Sequence, residues 1–192
     1  MNTENIVKIL KNGGVGVLAT DTLYGLVASA LDEKAVKKIY NLKKRDPKKA
    51  LIVLISDVGD LKIFGIDIKK YQNDLKKFWP GKVSIIFPLK GDKFKYLHKG
   101  QKSIAFRVPD KKDLLELLEK TGPLVAPSAN KEGEPPAKNI KEAKKYFGDK
   151  LDFYMDGGKL DSLPSTLISF DKKGNIITQR EGFVKIEKQI LL

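Results

Sequence analysis

Short runs of β-branched and other apolar residues alternate with amphipathic stretches of helical length along this whole sequence, and no other feature restricts the fold so tightly. Strand-length apolar runs occupy residues 15–20, 51–55, 83–89, 104–109, 124–126 and 152–155. Between them the apolar positions recur with the helical period. Ile6, Val7, Ile9 and Leu10 form one stripe over residues 3–11, with Thr3 as its expected N-cap. Ala35, Val36, Ile39, Tyr40 and Leu42 share a face over residues 33–43, which Asp32 is placed to cap. Leu114, Leu115, Leu117 and Leu118 do so in a helix expected from a cap at Asp110 through Glu119. Further helices are predicted over about 67–78, from a cap at Asn139 to Phe147, and over about 184–191. Residues 165–170 and 176–179 read as a hairpin across Asp171-Lys172-Lys173-Gly174-Asn175. This alternation, with one hairpin and no repeat or linker, predicts a single α/β domain over residues 1–192 with a mixed sheet.

Charge narrows the chemistry. With 37 Lys plus Arg against 24 Asp plus Glu, the formal net charge is +13, which favours polyanionic substrates or partners. The chain has no cysteine, which excludes disulfides, thiolate metal sites and cysteine nucleophiles. One histidine, His98, cannot form a histidine metal cluster. It is expected in a solvated loop, because residues 90–103 read as an exposed Lys- and Gly-bearing connection. The first residues lack the basic and apolar regions of a secretory signal, and no apolar run approaches the roughly 20 residues that span a bilayer. A cytoplasmic protein is expected.

Only three of the 37 cations are arginines: Arg45, Arg107 and Arg180. Guanidinium is a planar fork that grips carboxylate or phosphate through paired bonds, which lysine cannot reproduce. Arg45 lies in Lys43-Lys44-Arg45-Asp46-Pro47-Lys48-Lys49, where five cations crowd into seven residues before the apolar run at 51–55. The three arginines are either ordinary surface charges or the walls of a phosphate-binding cleft, and composition alone leaves both readings open. Small hydroxyl and amide residues stand at strand ends: Thr22 in Thr20-Asp21-Thr22, Ser128 and Asn130 after residues 124–126, and Ser165. Strand ends are where open α/β sheets hold ligands. A polar turn held by local bonds is the alternative for an isolated Thr-Asp-Thr. There is no Gly-x-x-x-x-Gly-Lys-Ser/Thr loop, dinucleotide fingerprint, kinase signature or nucleophile elbow.

Taken in order, Gly13-Gly14, residues 20–26, Lys43-x-Arg45, Phe78-Trp79-Pro80-Gly81, Arg107-Val108-Pro109, Ser128-Ala129-Asn130, Asp156-Gly157-Gly158, Pro164-Ser165-Thr166 and Arg180-x-Gly182 resemble the YrdC/Sua5 family of threonylcarbamoyl-AMP synthases, in its short form. The resemblance implies a YrdC-like domain: a twisted mixed parallel and antiparallel sheet with flanking helices and a concave basic face. It implies a nucleotidyltransferase that makes threonylcarbamoyl-AMP and pyrophosphate from L-threonine, bicarbonate or CO2, and ATP. That product would feed the machinery that installs t6A at tRNA position 37, and direct contact with tRNA is compatible with the charge. By the same resemblance Lys43 and Arg45 are catalytic. Lys43, Arg45, Asn130 and Arg180 bind ATP, and Thr22, Arg107, Ser128 and Ser165 hold threonine. Magnesium accompanies the triphosphate rather than a protein site. Departures from the family pattern are Ala19 before Thr20, Asp46 before Pro47, Glu181 before Gly182, and Leu54 where some members carry a threonine-contacting histidine. The rival readings are a YciO-like paralogue and an RNA-binding module of the same fold.

Overall fold

The computed structural model describes residues 2–186. Its strands are β1 (Gly16–Ala19), β2 (Tyr24–Ser29), β3 (Ile52–Leu54), β4 (Val83–Pro88), β5 (Ser103–Arg107), β6 (Leu124–Val125), β7 (Phe153–Met155), β8 (Thr166–Phe170) and β9 (Ile176–Arg180). They form one mixed sheet in the order β7-β1-β2-β6-β3-β5-β4-β8-β9. β1 runs parallel to β7, β3 to β5 and β4 to β8, and the other neighbours are antiparallel. The helices are α1 (Thr3–Lys11), α2 (Glu33–Lys43), α3 (Gln72–Phe78), α4 (Lys95–His98), α5 (Lys112–Thr121) and α6 (Ile140–Phe147).

Alternation along the strands sends successive side chains to opposite faces. Val53, Ile85, Phe87, Ile104 and Phe106 enter the larger core with Val36 and Ile39 of α2, Leu97 of α4 and Phe147 of α6. The opposite face is only partly covered. There Leu18, Val27, Leu54 and Leu124 pack under Ile6 and Leu10 of α1 and Leu114, Leu117 and Leu118 of α5. Burying each such leucine contributes about 1.5–3 kcal/mol, so α5 is anchored immediately after Arg107. The rest of that face, with Ile52, Ala105, Arg107, Ala126 and Leu167, borders an open cleft.

Several expectations need correction. The segment after Thr22 is not only a turn: Tyr24–Ser29 is β2, antiparallel to β1. Tyr24 through Ala28 are buried, so they show no polar alternation and the strand leaves no period-two pattern to read. Residues 90–103 are not simply exposed, since they contain α4 and bury Phe94, Leu97 and His98. His98 is 1% exposed, with Nδ1 accepting from the Gly100 N–H at 3.1 Å. Asn2, not Thr3, caps α1, its side chain accepting from the Asn5 N–H. α5 starts at Lys112 without a side-chain cap, so Asp110 does not serve that role. The stretch before Trp79 is a 3-10 turn, Ile68–Tyr71, followed by α3. Of the helix expected over 184–191, residues 187–192 lie outside the described residues, and residues 184–186 are not helical.

Candidate active site

The cleft has room for about 320 Å3 and is bordered by all three arginines of the chain. Three unrelated elements deliver them. Arg107 ends β5, Arg180 ends β9, and Arg45 follows the left-handed residue Lys44 that closes α2. Their charges act on one another. Burial and then the positive charges of Arg107 and Arg45 lower the pKa of the Arg180 guanidinium.

At the sheet face Arg107 is 4% exposed and forms an ion pair with Asp21 through Nη1. Its Nη2 reaches Thr22 Oγ1 at 3.4 Å, and its buried Nε has no partner. The second Asp21 oxygen accepts the Asp110 N–H at 3.2 Å. Thr20 organises this turn by donating its hydroxyl to the Leu23 carbonyl while accepting the N–H groups of Thr22 and Leu23. The Thr20 and Thr22 hydroxyls lie 3.1 Å apart. An unpaired buried guanidinium N–H is costly.

Lys43 has a different place. Its side chain is 2% exposed, and Nζ donates to the Ser128 carbonyl at 2.5 Å, the Asn130 carbonyl at 2.7 Å and Asn130 Oδ1 at 3.0 Å. An ammonium has three donors, and all three are used. Asn130 is equally committed: Oδ1 also accepts from the Ser128 hydroxyl at 2.6 Å, and Nδ2 donates to the Lys131 and Glu134 carbonyls. Burial, then the Arg45 charge, lowers the Lys43 pKa to about 8, with Glu132 opposing. Lys43 thus ties the end of α2 to the loop that presents Ser128.

Arg45 braces the following loop, its Nε and Nη2 donating to the Lys49 and Ala50 carbonyls at 3.3 and 3.0 Å. The Lys49 carbonyl also accepts the Tyr40 hydroxyl at 2.8 Å. On the outer side Glu132 accepts the Asp46 N–H at one oxygen and Lys49 Nζ at the other, each at 2.6 Å. These two contacts, the Lys49 ammonium first, lower the Glu132 pKa. Opposite, Arg180 Nη2 donates to the Ser165 carbonyl at 2.8 Å, and the Ser165 and Ser84 hydroxyls lie 2.9 Å apart.

Of the residues singled out from sequence, Thr22, Arg45, Arg107, Ser128, Ser165 and Arg180 border the cleft. Lys43 and Asn130 do not; they lie behind Ser128. Leu54 is fully buried under α5 and contributes nothing to the cleft. Sequence reasoning missed Asp21 as the partner of Arg107, and missed Tyr24, Lys49 and Gln101 in the lining. Lys49 was readable within the basic run. Gln101 carried no sign in the sequence, because α4 is what brings it here.

Residues 8–182 match the Sua5/YciO/YrdC family, described as telomere recombination. A Methanocaldococcus jannaschii protein provisionally named a threonylcarbamoyl-AMP synthase is 36% identical over 191 residues, 96% of this chain and 87% of its own. The Bacillus subtilis threonylcarbamoyl-AMP synthase is 34% identical over 181 residues, 92% of this chain and 52% of its own. Pyrococcus abyssi Sua5, in a crystal structure complexed with L-threonine, superposes with a TM-score of 0.86 at 29% identity, covering 94% of this chain and 54% of that one. The chain therefore spans about half the length of the Bacillus and Pyrococcus proteins.

Proposed function

Because this chain belongs to the Sua5/YciO/YrdC family, we propose that its cleft joins L-threonine, bicarbonate and ATP into threonylcarbamoyl-AMP, as a nucleotidyltransferase. The observation that carries the reading is the gathering of the only three arginines of a lysine-rich chain on one cleft, beside buried hydroxyls. In the proposed reaction the threonine amine adds CO2, losing a proton, to give a carbamate. A carbamate oxygen attacks the α-phosphorus in line, the bond from that phosphorus to the bridging oxygen breaks, and pyrophosphate leaves. Such a transfer needs orientation and neutralisation of phosphate charge more than covalent help.

Arg107 suits the threonine carboxylate, because it borders the cleft and Asp21 fixes its guanidinium there. Thr22 and Ser165 each have one hydroxyl neighbour and retain capacity for a substrate bond. Arg45 and Arg180 suit the phosphates. Lys43 and Asn130 act one step back, holding the Ser128 loop in place. Among the described residues no three carboxylates or histidines gather to hold a metal. Asp21 is engaged by Arg107, so magnesium fits as the counter-ion of the triphosphate and supplies charge neutralisation there.

The test is pyrophosphate release by the purified chain. It should require threonine, bicarbonate and ATP together. Folded protein that releases none under those conditions overturns the reading. Nucleotide binding without threonine-dependent turnover would favour a YciO-like role, and salt-sensitive tRNA binding without ATP or threonine affinity an RNA-binding module. A role in supplying the tRNA t6A machinery follows from the product and rests on the same assay.

A further inference from the structure

The basic run contains five cations, and the site described above uses two of them, Lys43 and Arg45. Of the other three, Lys49 borders the cleft. Its situation differs from that of every arginine there. Arg45 and Arg180 are bound to backbone carbonyls, and Arg107 to a buried carboxylate beneath the cleft. The Lys49 ammonium instead meets Glu132, which lies outside the cleft lining, and its side chain is 57% exposed. Glu132 is joined to the loop at two points, Lys49 Nζ and the Asp46 N–H, while its own N–H donates to the Lys43 carbonyl at 2.8 Å. One carboxylate therefore fastens the loop to the segment carrying Asn130 and pairs with the exposed Lys49 ammonium.

We propose that Lys49 is a further polyphosphate-binding residue of this cleft, and that Glu132 holds it until the β- and γ-phosphates of a nucleotide displace that ion pair. The proposal rests on the nucleotide reading given above. Its physical basis is competition. An exposed ion pair is weak, whereas a polyphosphate among clustered cations concentrates negative charge in a partly water-excluded site. Lysine suits such a transfer because its ammonium sits on a flexible stem and forms bonds without the fixed plane of guanidinium. The loop does not have to move with it. Arg45, Tyr40 and Gln101 hold the carbonyls of Lys48, Lys49 and Ala50.

Calorimetric titration of the full chain with ATP and with AMP tests this, using Lys49→Ala, Glu132→Gln and the double variant. Lys49→Ala should weaken ATP by about tenfold, the effect of one charge-assisted phosphate contact, and change AMP by less than about twofold. Glu132→Gln keeps an oxygen that can accept the Asp46 N–H but removes the charge that pairs with the Lys49 ammonium. Glu132→Gln should therefore tighten ATP by about two- to fivefold, the worth of an exposed ion pair, and do nothing further in the Lys49→Ala background. A structural role for Glu132 moves affinity the other way. Equal weakening of ATP and AMP by Lys49→Ala, no effect of that change, or weaker ATP binding by Glu132→Gln each overturns the proposal. Wild-type protein that binds ATP while Lys49→Ala is silent defeats this proposal alone. Wild-type protein that binds neither nucleotide defeats the nucleotide reading and this proposal with it.

Discussion

Arg45 and Lys43 stand two residues apart in the same motif and do different work. The Arg45 guanidinium spans two carbonyls of its own loop while facing the cleft. Arg45→Lys keeps the charge but loses the fork. We expect kcat to fall about tenfold or more, and steady-state pyrophosphate release measures it. Lys43 is buried with three acceptors, and its pKa near 8 sets a pH window. As pH rises through about 8 the folded protein loses that proton, one of three donors disappears, and the Ser128 loop loosens. Turnover should therefore decline above about pH 8 with a slope that Lys43→Met abolishes along with most activity. The stability term has the opposite sign. Between about 8 and the ordinary lysine value of 10.5 the unfolded chain holds the proton more tightly, so this one group favours the fold increasingly as pH rises and loses that contribution as pH falls through about 8. The rarity of arginine made Arg45, Arg107 and Arg180 legible in the sequence. The position of Lys43 was not, because its burial depends on Ser128 and Asn130, more than 80 residues away.

Among the elements, α2 and α6 were legible because each joins an apolar stripe to a capping residue. Asp32 accepts the N–H groups of Lys34 and Ala35, and Asn139 accepts that of Glu142, whose carboxylate returns a contact to the Asn139 amide. Asp32→Ala or Asn139→Ala should each cost about 1 kcal/mol in urea unfolding. Neither should change kcat at 25 °C, since the far end of α2 is held by Lys43 and α6 does not border the cleft. β2 and α4 escaped for opposite reasons. β2 is buried nearly throughout, so it lacks alternation, and α4 is a single turn of four residues, set among the lysines at 93, 95 and 99, that buries Leu97 and His98. Losing α4 from the reading also lost Gln101, whose side-chain amide donates to the Lys48 carbonyl at 2.8 Å. Gly182 shows how tightly β8 and β9 meet beside the cleft: a Cβ there would come 2.5 Å from the Pro164 carbonyl oxygen and 2.6 Å from the Thr166 nitrogen. Gly182→Ala should separate Arg180 from Ser165 and weaken ATP at least about tenfold, as titration would register.

At the scale of the whole molecule the sheet order explains why a local sequence window could not reveal the site. Arg107 ends β5 and Arg180 ends β9, and β4 and β8 stand between those strands, while Arg45 approaches from α2. The family pattern anticipated this assembly, but the Arg107–Asp21 pair that anchors it appears only once β1 and β5 are folded together. Burial, and then the charges of Arg107 and Arg45, lower the pKa of Arg180, so an anion in the cleft relieves that repulsion. Pyrophosphate at about a hundredfold over its Kd should stabilise the fold by about 2.7 kcal/mol, raising Tm by about 5–10 °C in a chain of this size. Sodium chloride at equal ionic strength should give a much smaller rise in the same melting experiment. The burial of Lys43 has one more consequence, in covalent labelling. A pKa lowered to about 8 leaves more of its amine unprotonated at neutral pH than the ordinary lysine value would, so acetylating reagents would find it a better nucleophile than a lysine of ordinary pKa. Its 2% exposure bars them. Lys43 should thus be modified only when the contact with Ser128 and Asn130 opens, and its acetylation rate becomes a clock for the breathing of the cleft wall.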